Sequence, residues 1–121
     1  MGSYKDLEIY KLAYDIANRV HYATLKLPKF EIHEQGGQIR RSTKSIKDTI
    51  VEGYGRRRYK AEFIRYLIYA QASCDEATNQ ATSIIELYPN ISEFAGILKD
   101  LEVLGKMINN FIKYVESNWR T

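Results

Sequence analysis

The residues best suited to chemistry lie between Gly36 and Tyr66, in GGQIRRSTKSIKDTIVEGYGRRRYKAEFIRY. Nine of the protein's 18 Lys and Arg residues fall here: Arg40, Arg41, Lys44, Lys47, Arg56, Arg57, Arg58, Lys60 and Arg65. Only three acids, Asp48, Glu52 and Glu62, stand among them. The whole chain carries a formal charge of only +3, so the positive charge is a local feature. Such a cluster suits phosphate. Arg presents a planar fork for bidentate contact and Lys a point charge, and the release of counterions from a nucleic-acid backbone gives salt-dependent affinity with little sequence preference. Tyr54, Tyr59 and Tyr66 are interleaved with the cations, and their rings could stack on unpaired bases. The plainer alternative is a solvated face with partial pairing, in which Arg40 and Lys44 meet Asp48 and Glu52 within one helix and Arg65 meets Glu62 or Glu52.

The other reactive side chains do not converge. Glu52 is the acid most surrounded by positive charge, and it reads as a structural ion pair to Arg41 or Arg65 that fixes a turn at Gly53 to Gly55. Asp48 stands four residues before Glu52, but two carboxylates are too few for a metal site. His21 and His33 lie on different segments without metal-ligand spacing, and both are expected at the surface or an interface. Cys74 falls on an apolar seam with Ala70 and Ala77, where it serves as a small core residue rather than a nucleophile. Neither Gly36-Gly37 nor Gly53-x-Gly55 has the setting of a phosphate loop. The sequence therefore predicts no catalytic residue, no metal and no cofactor, and points to a binding or scaffolding protein rather than an enzyme.

Four apolar patterns must position these groups. Ile9, Ala13, Ile16, Val20, Ala23 and Leu27 alternate steps of four and three, the seam of an amphipathic helix over about 6–27 that Pro28 ends. Ile39, Thr43, Ile46, Ile50 and Gly53 continue the rhythm over about 35–53, where Gly53-Tyr54-Gly55 is expected to stop the helix. Arg40, Lys44 and Lys47 share one face of it. Phe63, Leu67, Ala70, Cys74, Ala77, Ala81, Ile84 and Tyr88 carry a third helix over about 59–87, and Pro89 breaks it. Phe94, Leu98, Leu101, Gly105, Ile108, Ile112, Val115 and Trp119 carry a fourth over about 91–118, with Asn90 and Glu93 as a capping pair. Ile97, Leu104 and Phe111 widen its face. No stretch alternates with a period of two. The fold class is all-α, an antiparallel up-down-up-down four-helix bundle in one domain. The first and fourth helices carry more apolar surface than one bundle consumes, which points to a homo-oligomer.

At 121 residues and 45% hydrophobic content the chain is long enough for one core. No run approaches the roughly 20 apolar residues of a membrane span, the N-terminal residues lack an apolar signal core, and a single cysteine suits a reducing compartment. A cytoplasmic protein without membrane contact is the expectation.

Asp6-Leu7, Leu27-Pro28, Gln38-Ile39-Arg40-Arg41, Ser45-Ile46, Ile50-Val51-Glu52-Gly53-Tyr54-Gly55-Arg56 and Glu62-Phe63-Ile64-Arg65-Tyr66-Leu67 together resemble one group. It is the family of four-helix-bundle proteins encoded in intervening sequences of bacterial 23S ribosomal RNA genes, also labelled S23 ribosomal protein. The resemblance covers nearly the whole chain. It departs at Lys47 and Thr49, where the family usually has Pro and Asn, and at Ala72, where Gly is frequent. It implies a bundle assembling into a ring-like homopentamer and a relation to the accessory proteins of diversity-generating retroelements. Those work with a reverse transcriptase and are thought to bind nucleic acid. The partners implied are other copies of the chain, RNA or DNA, and a reverse transcriptase or another protein.

Overall fold

The computed structural model describes residues 2–120, and among them every regular element is helical. Five helices are formed: α1 (Glu8–Ala23), α2 (Lys29–His33), α3 (Gln35–Gly55), α4 (Lys60–Leu87) and α5 (Glu93–Asn118). The long ones, α1, α3, α4 and α5, make a bundle in which α1 packs on α3, α3 on α4, α4 on α5 and α5 on α1, while the backbones of diagonal pairs stay farther apart. Short connections force the chain to reverse at each step, so neighbours run antiparallel. Consequently the start of α1, the end of α3, the start of α4 and the end of α5 lie together at one end of the bundle.

The alternating seams form the core. Ile9, Ala13, Ile16, Val20 and Ala23 of α1, Ile39, Thr43, Ile46 and Ile50 of α3, and Phe63 through Ile84 of the α4 seam are all buried. Thr43 is admitted because its hydroxyl donates to the Ile39 carbonyl at 2.8 Å, which spares the cost of an open polar group in the core. On α5 the buried line runs through Phe94, Ile97, Leu101, Leu104, Ile108, Ile112 and Val115. The expected seam members Leu98 and Gly105 are only half-buried, because α5 must face both α4 and α1 and the centre of its wide apolar face falls between them. Ser42 donates to Gln80 at 2.6 Å and Ser45 pairs with Ser73 at 3.0 Å, a polar margin along the α3–α4 contact.

Three expected boundaries move. The first helix stops at Ala23 and passes through a 3-10 turn, Thr24–Lys26, before Pro28 and the short α2. Asn90 does not cap α5; Ser92 holds the N-cap position without a side-chain cap bond, and Glu93 instead pairs with Lys26 across to α1's end. The third difference bears on the basic stretch. Gly53 and Gly55 do not form a turn: α3 runs through Gly55, and among the described residues none has a positive φ.

Gly53 is required for a different reason. A Cβ there would stand 3.0 Å from Tyr66 Cβ and 3.5 Å from the Phe63 carbonyl oxygen. The hydrogen side of Gly53 is what lets α3 and α4 approach at this end.

Candidate nucleic-acid interface

The structure divides the nine basic residues into three groups. Arg40 is half-buried and serves the fold, donating to Thr24 Oγ1 and to the Ile32 carbonyl, each at 2.8 Å. It thereby pins the connection between α1 and α3. Lys47 is half-buried and bonded to Asp48 at 3.0 Å, and Lys60 Nζ donates to the Glu116 carbonyl at 2.6 Å, where a cation also suits the C-terminus of α5. Arg40, Lys44 and Lys47 share a side of α3 but not one role: Lys44 is exposed, while Arg40 and Lys47 are half-buried and hydrogen-bonded within the protein.

Arg41 and Lys44 form the second group, exposed along the side of α3. Arg41 faces a shallow polar depression with Gln38, Glu76 and Gln80. Fifteen residues of helix separate Arg41 from Arg56, roughly 22 Å at the α-helical rise. The stretch that is continuous in sequence is thus two sites in space.

The third group closes the bundle end. Arg56, Arg57 and Arg58 occupy the connection between α3 and α4, with Arg65 further along α4. Each guanidinium lies near a tyrosine. Arg56 sits 4.6 Å from the Tyr66 ring centroid, Arg57 4.0 Å from Tyr54, Arg58 5.9 Å from Tyr59 and Arg65 5.6 Å from Tyr69. Arg57 also donates to the Tyr54 carbonyl at 2.9 Å, and Arg65 Nε to the Tyr69 hydroxyl at 2.7 Å. That bond, with Glu62 beside it, raises the Arg65 pKa above its ordinary value. Among the described residues the single carboxylate in ion-pair range is Glu62, 3.3 Å from Arg65 and 4.0 Å from Arg56. Arg57 and Arg58 have no acidic partner among those residues. A neighbouring ring, unlike a carboxylate, leaves the guanidinium charge in place, and the N–H groups not bonded within the protein can meet an anion.

The tyrosines separate as well. Tyr54 is 5% exposed and packs edge-on against Phe63, so it cannot take a base. Its burial is readable in retrospect, since it stands four residues after Ile50 on the same seam. Tyr66 has Arg56 over its ring and Tyr69 at its edge, 5.3 Å away. Tyr59 and Tyr69 are exposed; Tyr69 lies off the α4 seam on the same side as Arg65, which is the signal for adding it to the site.

Glu52 is exposed, and among the described residues it has no ion pair to Arg41 or Arg65. The structural ion pair expected of it is absent because Arg65 turns to Tyr69 and Glu62 instead. His21 lies edge-on to Tyr22 at the surface, and His33 is exposed. Cys74 is buried, its thiol donating to the Leu101 carbonyl at 3.3 Å. Burial first, and Asp75 beside it, push the thiol from about 9.0 up to about 11, so at neutral pH it is not a thiolate. Among the described residues no three His, Cys, Asp or Glu side chains are grouped to hold a metal ion, and no helix is long and apolar enough to cross a membrane.

Helix order and the arginine-tyrosine end define an all-α, four-helix-bundle protein with a concentrated cationic surface. Comparison with known families places it more narrowly. The chain belongs to the 23S rRNA-intervening sequence protein family, whose model matches residues 5–110. A solved structure with the same fold is a protein of unknown function from the S23 ribosomal protein family of Bacteroides thetaiotaomicron. It shares 22% identity with this chain at a TM-score of 0.73, over 87% of this chain and 98% of that one. No curated protein matches the sequence.

Proposed function

We propose that this protein is a non-enzymatic, oligomeric nucleic-acid-binding bundle whose ligand is RNA, held through its phosphates by the arginine end. The observation that carries the reading is the pairing of Arg56, Arg57, Arg58 and Arg65 with tyrosine rings in the presence of one acid, Glu62. A merely solvated face would balance its cations with carboxylates. Here the cations are ordered by rings, which leaves their charge in place. Arg41 and Lys44 extend the surface along α3, whereas Arg40, Lys47 and Lys60 are assigned to the fold.

The ring-like homopentamer implied by the family resemblance belongs to the same reading. It draws support from large apolar side chains exposed at the opposite end of the bundle, Tyr22, Leu25, Phe30 and Leu87. Repetition of the arginine end in each subunit would convert a weak site into a strong one through effective concentration. The same apolar residues favour a second reading, a protein-interaction scaffold whose arginines meet an acidic protein or neighbouring subunits. Titration of labelled RNA and DNA at several salt concentrations separates the two, because only phosphate contact predicts a steep inverse dependence of affinity on salt with either probe.

A further inference from the structure

We infer that the arginine end is built for unpaired bases, so that its preferred ligand is a single strand rather than a duplex; this rests on the nucleic-acid reading above. Arginine alone does not make that distinction, because phosphates are offered by both forms. Aromatic faces do, since a single strand presents open base faces while a duplex keeps its bases stacked internally.

The end carries two kinds of tyrosine. Tyr54 and Tyr66 are used by the protein: Arg57 and Arg56 lie over them at 4.0 and 4.6 Å, and Gly53 abuts the Cβ of Tyr66. Tyr59 and Tyr69 are left outside. Tyr59 is 61% exposed and Tyr69 is 41% exposed. Tyr59 sits in the connection immediately after the three arginines, and among the described residues its ring has one cationic neighbour, Arg58, at 5.9 Å. Its main chain, by contrast, is fixed: its N–H donates to the Arg56 carbonyl at 2.9 Å and its own carbonyl accepts from Phe63 at 3.0 Å. The ring is therefore presented from a rigid support. Tyr69 is held by the hydrogen bond from Arg65 to its hydroxyl at 2.7 Å and by the edge-on contact with Tyr66, 5.3 Å between centroids, so this partly exposed ring too is presented in a fixed position. Arg58 beside Tyr59 and Arg65 beside Tyr69, at 5.9 and 5.6 Å from the ring centroids, supply the phosphate contacts next to the exposed rings.

The test compares a short unstructured oligouridine with an RNA hairpin of equal phosphate number, at one salt concentration, against wild type, Tyr59→Ala, Tyr59→Phe and Tyr69→Ala. Wild type is expected to bind oligouridine about tenfold more tightly than the hairpin. Each alanine variant should lose about 5- to 150-fold on oligouridine, the range for removing one base stack; on the hairpin Tyr59→Ala should change about twofold or less, and Tyr69→Ala, which also frees Arg65, should lose less than it does on oligouridine. Tyr59→Phe should retain wild-type affinity, since the ring and not the hydroxyl is used. Equal binding of both RNAs, with alanine variants indistinguishable from wild type, overturns the inference and leaves the phosphate reading standing. Binding of neither RNA overturns both.

Discussion

The indole Nε1–H of Trp119 donates to the Arg57 carbonyl at 2.8 Å. The C-terminal end of α5 thereby holds the middle of the arginine connection. The ring of Trp119 also packs edge-on to Phe63, 5.2 Å between centroids, and Phe63 meets Phe111 and Tyr54. One aromatic cluster thus joins α3, α4 and α5 under Arg57. Trp119 lies beyond the segment that matches the family, so this support comes from the chain's own C-terminal residues.

Trp119→Ala is expected to destabilise the protein by about 1–2 kcal/mol, less than a fully buried tryptophan because the ring is half-exposed. Trp119→Phe should recover the packing and not the hydrogen bond. Thermal unfolding followed by circular dichroism checks this, and amide exchange of Arg56 to Tyr59 should accelerate in both variants. Unchanged exchange in the connection would show that Trp119 does not hold it.

The two glycines near the end of α3 should respond oppositely to alanine. Gly53→Ala places a methyl group 3.0 Å from Tyr66 Cβ, an atom that cannot move without its helix, so a loss of about 1–3 kcal/mol is expected despite the gain in helix propensity. At Gly55 a methyl group would meet nothing within 4 Å, and the backbone is ordinary, so Gly55→Ala should be neutral or stabilising by up to about 1 kcal/mol. Urea denaturation of the two variants decides it, and equal effects would contradict the packing argument.

Much of the architecture is legible in the sequence because its signal is periodic. The steps of four and three on α1, α3 and α4 name the buried residues almost without exception, since a packed bundle leaves no other place for them. Gly53-Tyr54-Gly55 misleads because glycine is both a helix stop and a close-contact residue. Only the position of Tyr66 on a distant segment decides between the two. The short α2 is hidden for a related reason: it rests on Pro28 and on Arg40's reach to Ile32, a contact spanning eight residues. The basic stretch is legible as composition and not as a surface. Arg40, Lys44 and Lys47 lie on one side of α3, yet Arg40 and Lys47 are half-buried and taken up by hydrogen bonds while Lys44 stays exposed, and the pairing of arginines with tyrosines is a tertiary fact.

Arg40 and the arginine triplet should therefore part company in experiment. Arg40→Ala leaves the Ile32 carbonyl and Thr24 hydroxyl without their charged donor, at a cost of about 1.5–3 kcal/mol. RNA affinity, measured below the unfolding transition, should stay within about twofold of wild type because the side chain is not offered to a phosphate. A loss of affinity without a loss of stability would return Arg40 to the binding surface.

Cys74 provides a pH dependence. Its thiol pKa rises from about 9.0 to about 11 on folding, so the native state favours the protonated form. That contribution to stability is complete below about pH 9 and is lost as pH climbs toward about 11. Denaturation of wild type and Cys74→Ala between about pH 8 and about pH 10.5 should show a steeper decline for wild type. Thiol reagents should label the native protein far more slowly than the unfolded chain.

The central claim, that the arginine end binds RNA phosphates, is tested most directly by the salt dependence of RNA affinity in wild type and in the Arg56→Ala/Arg57→Ala/Arg58→Ala triple variant, starting near about 50 mM salt. The predicted result is at least about tenfold weaker binding by the triple variant, with the slope of log affinity against log salt reduced by about 2, as three single-strand phosphate contacts at roughly 0.7 each require. Equal affinity and equal slope in the two proteins, or no RNA binding by wild type at the lowest salt, would contradict it.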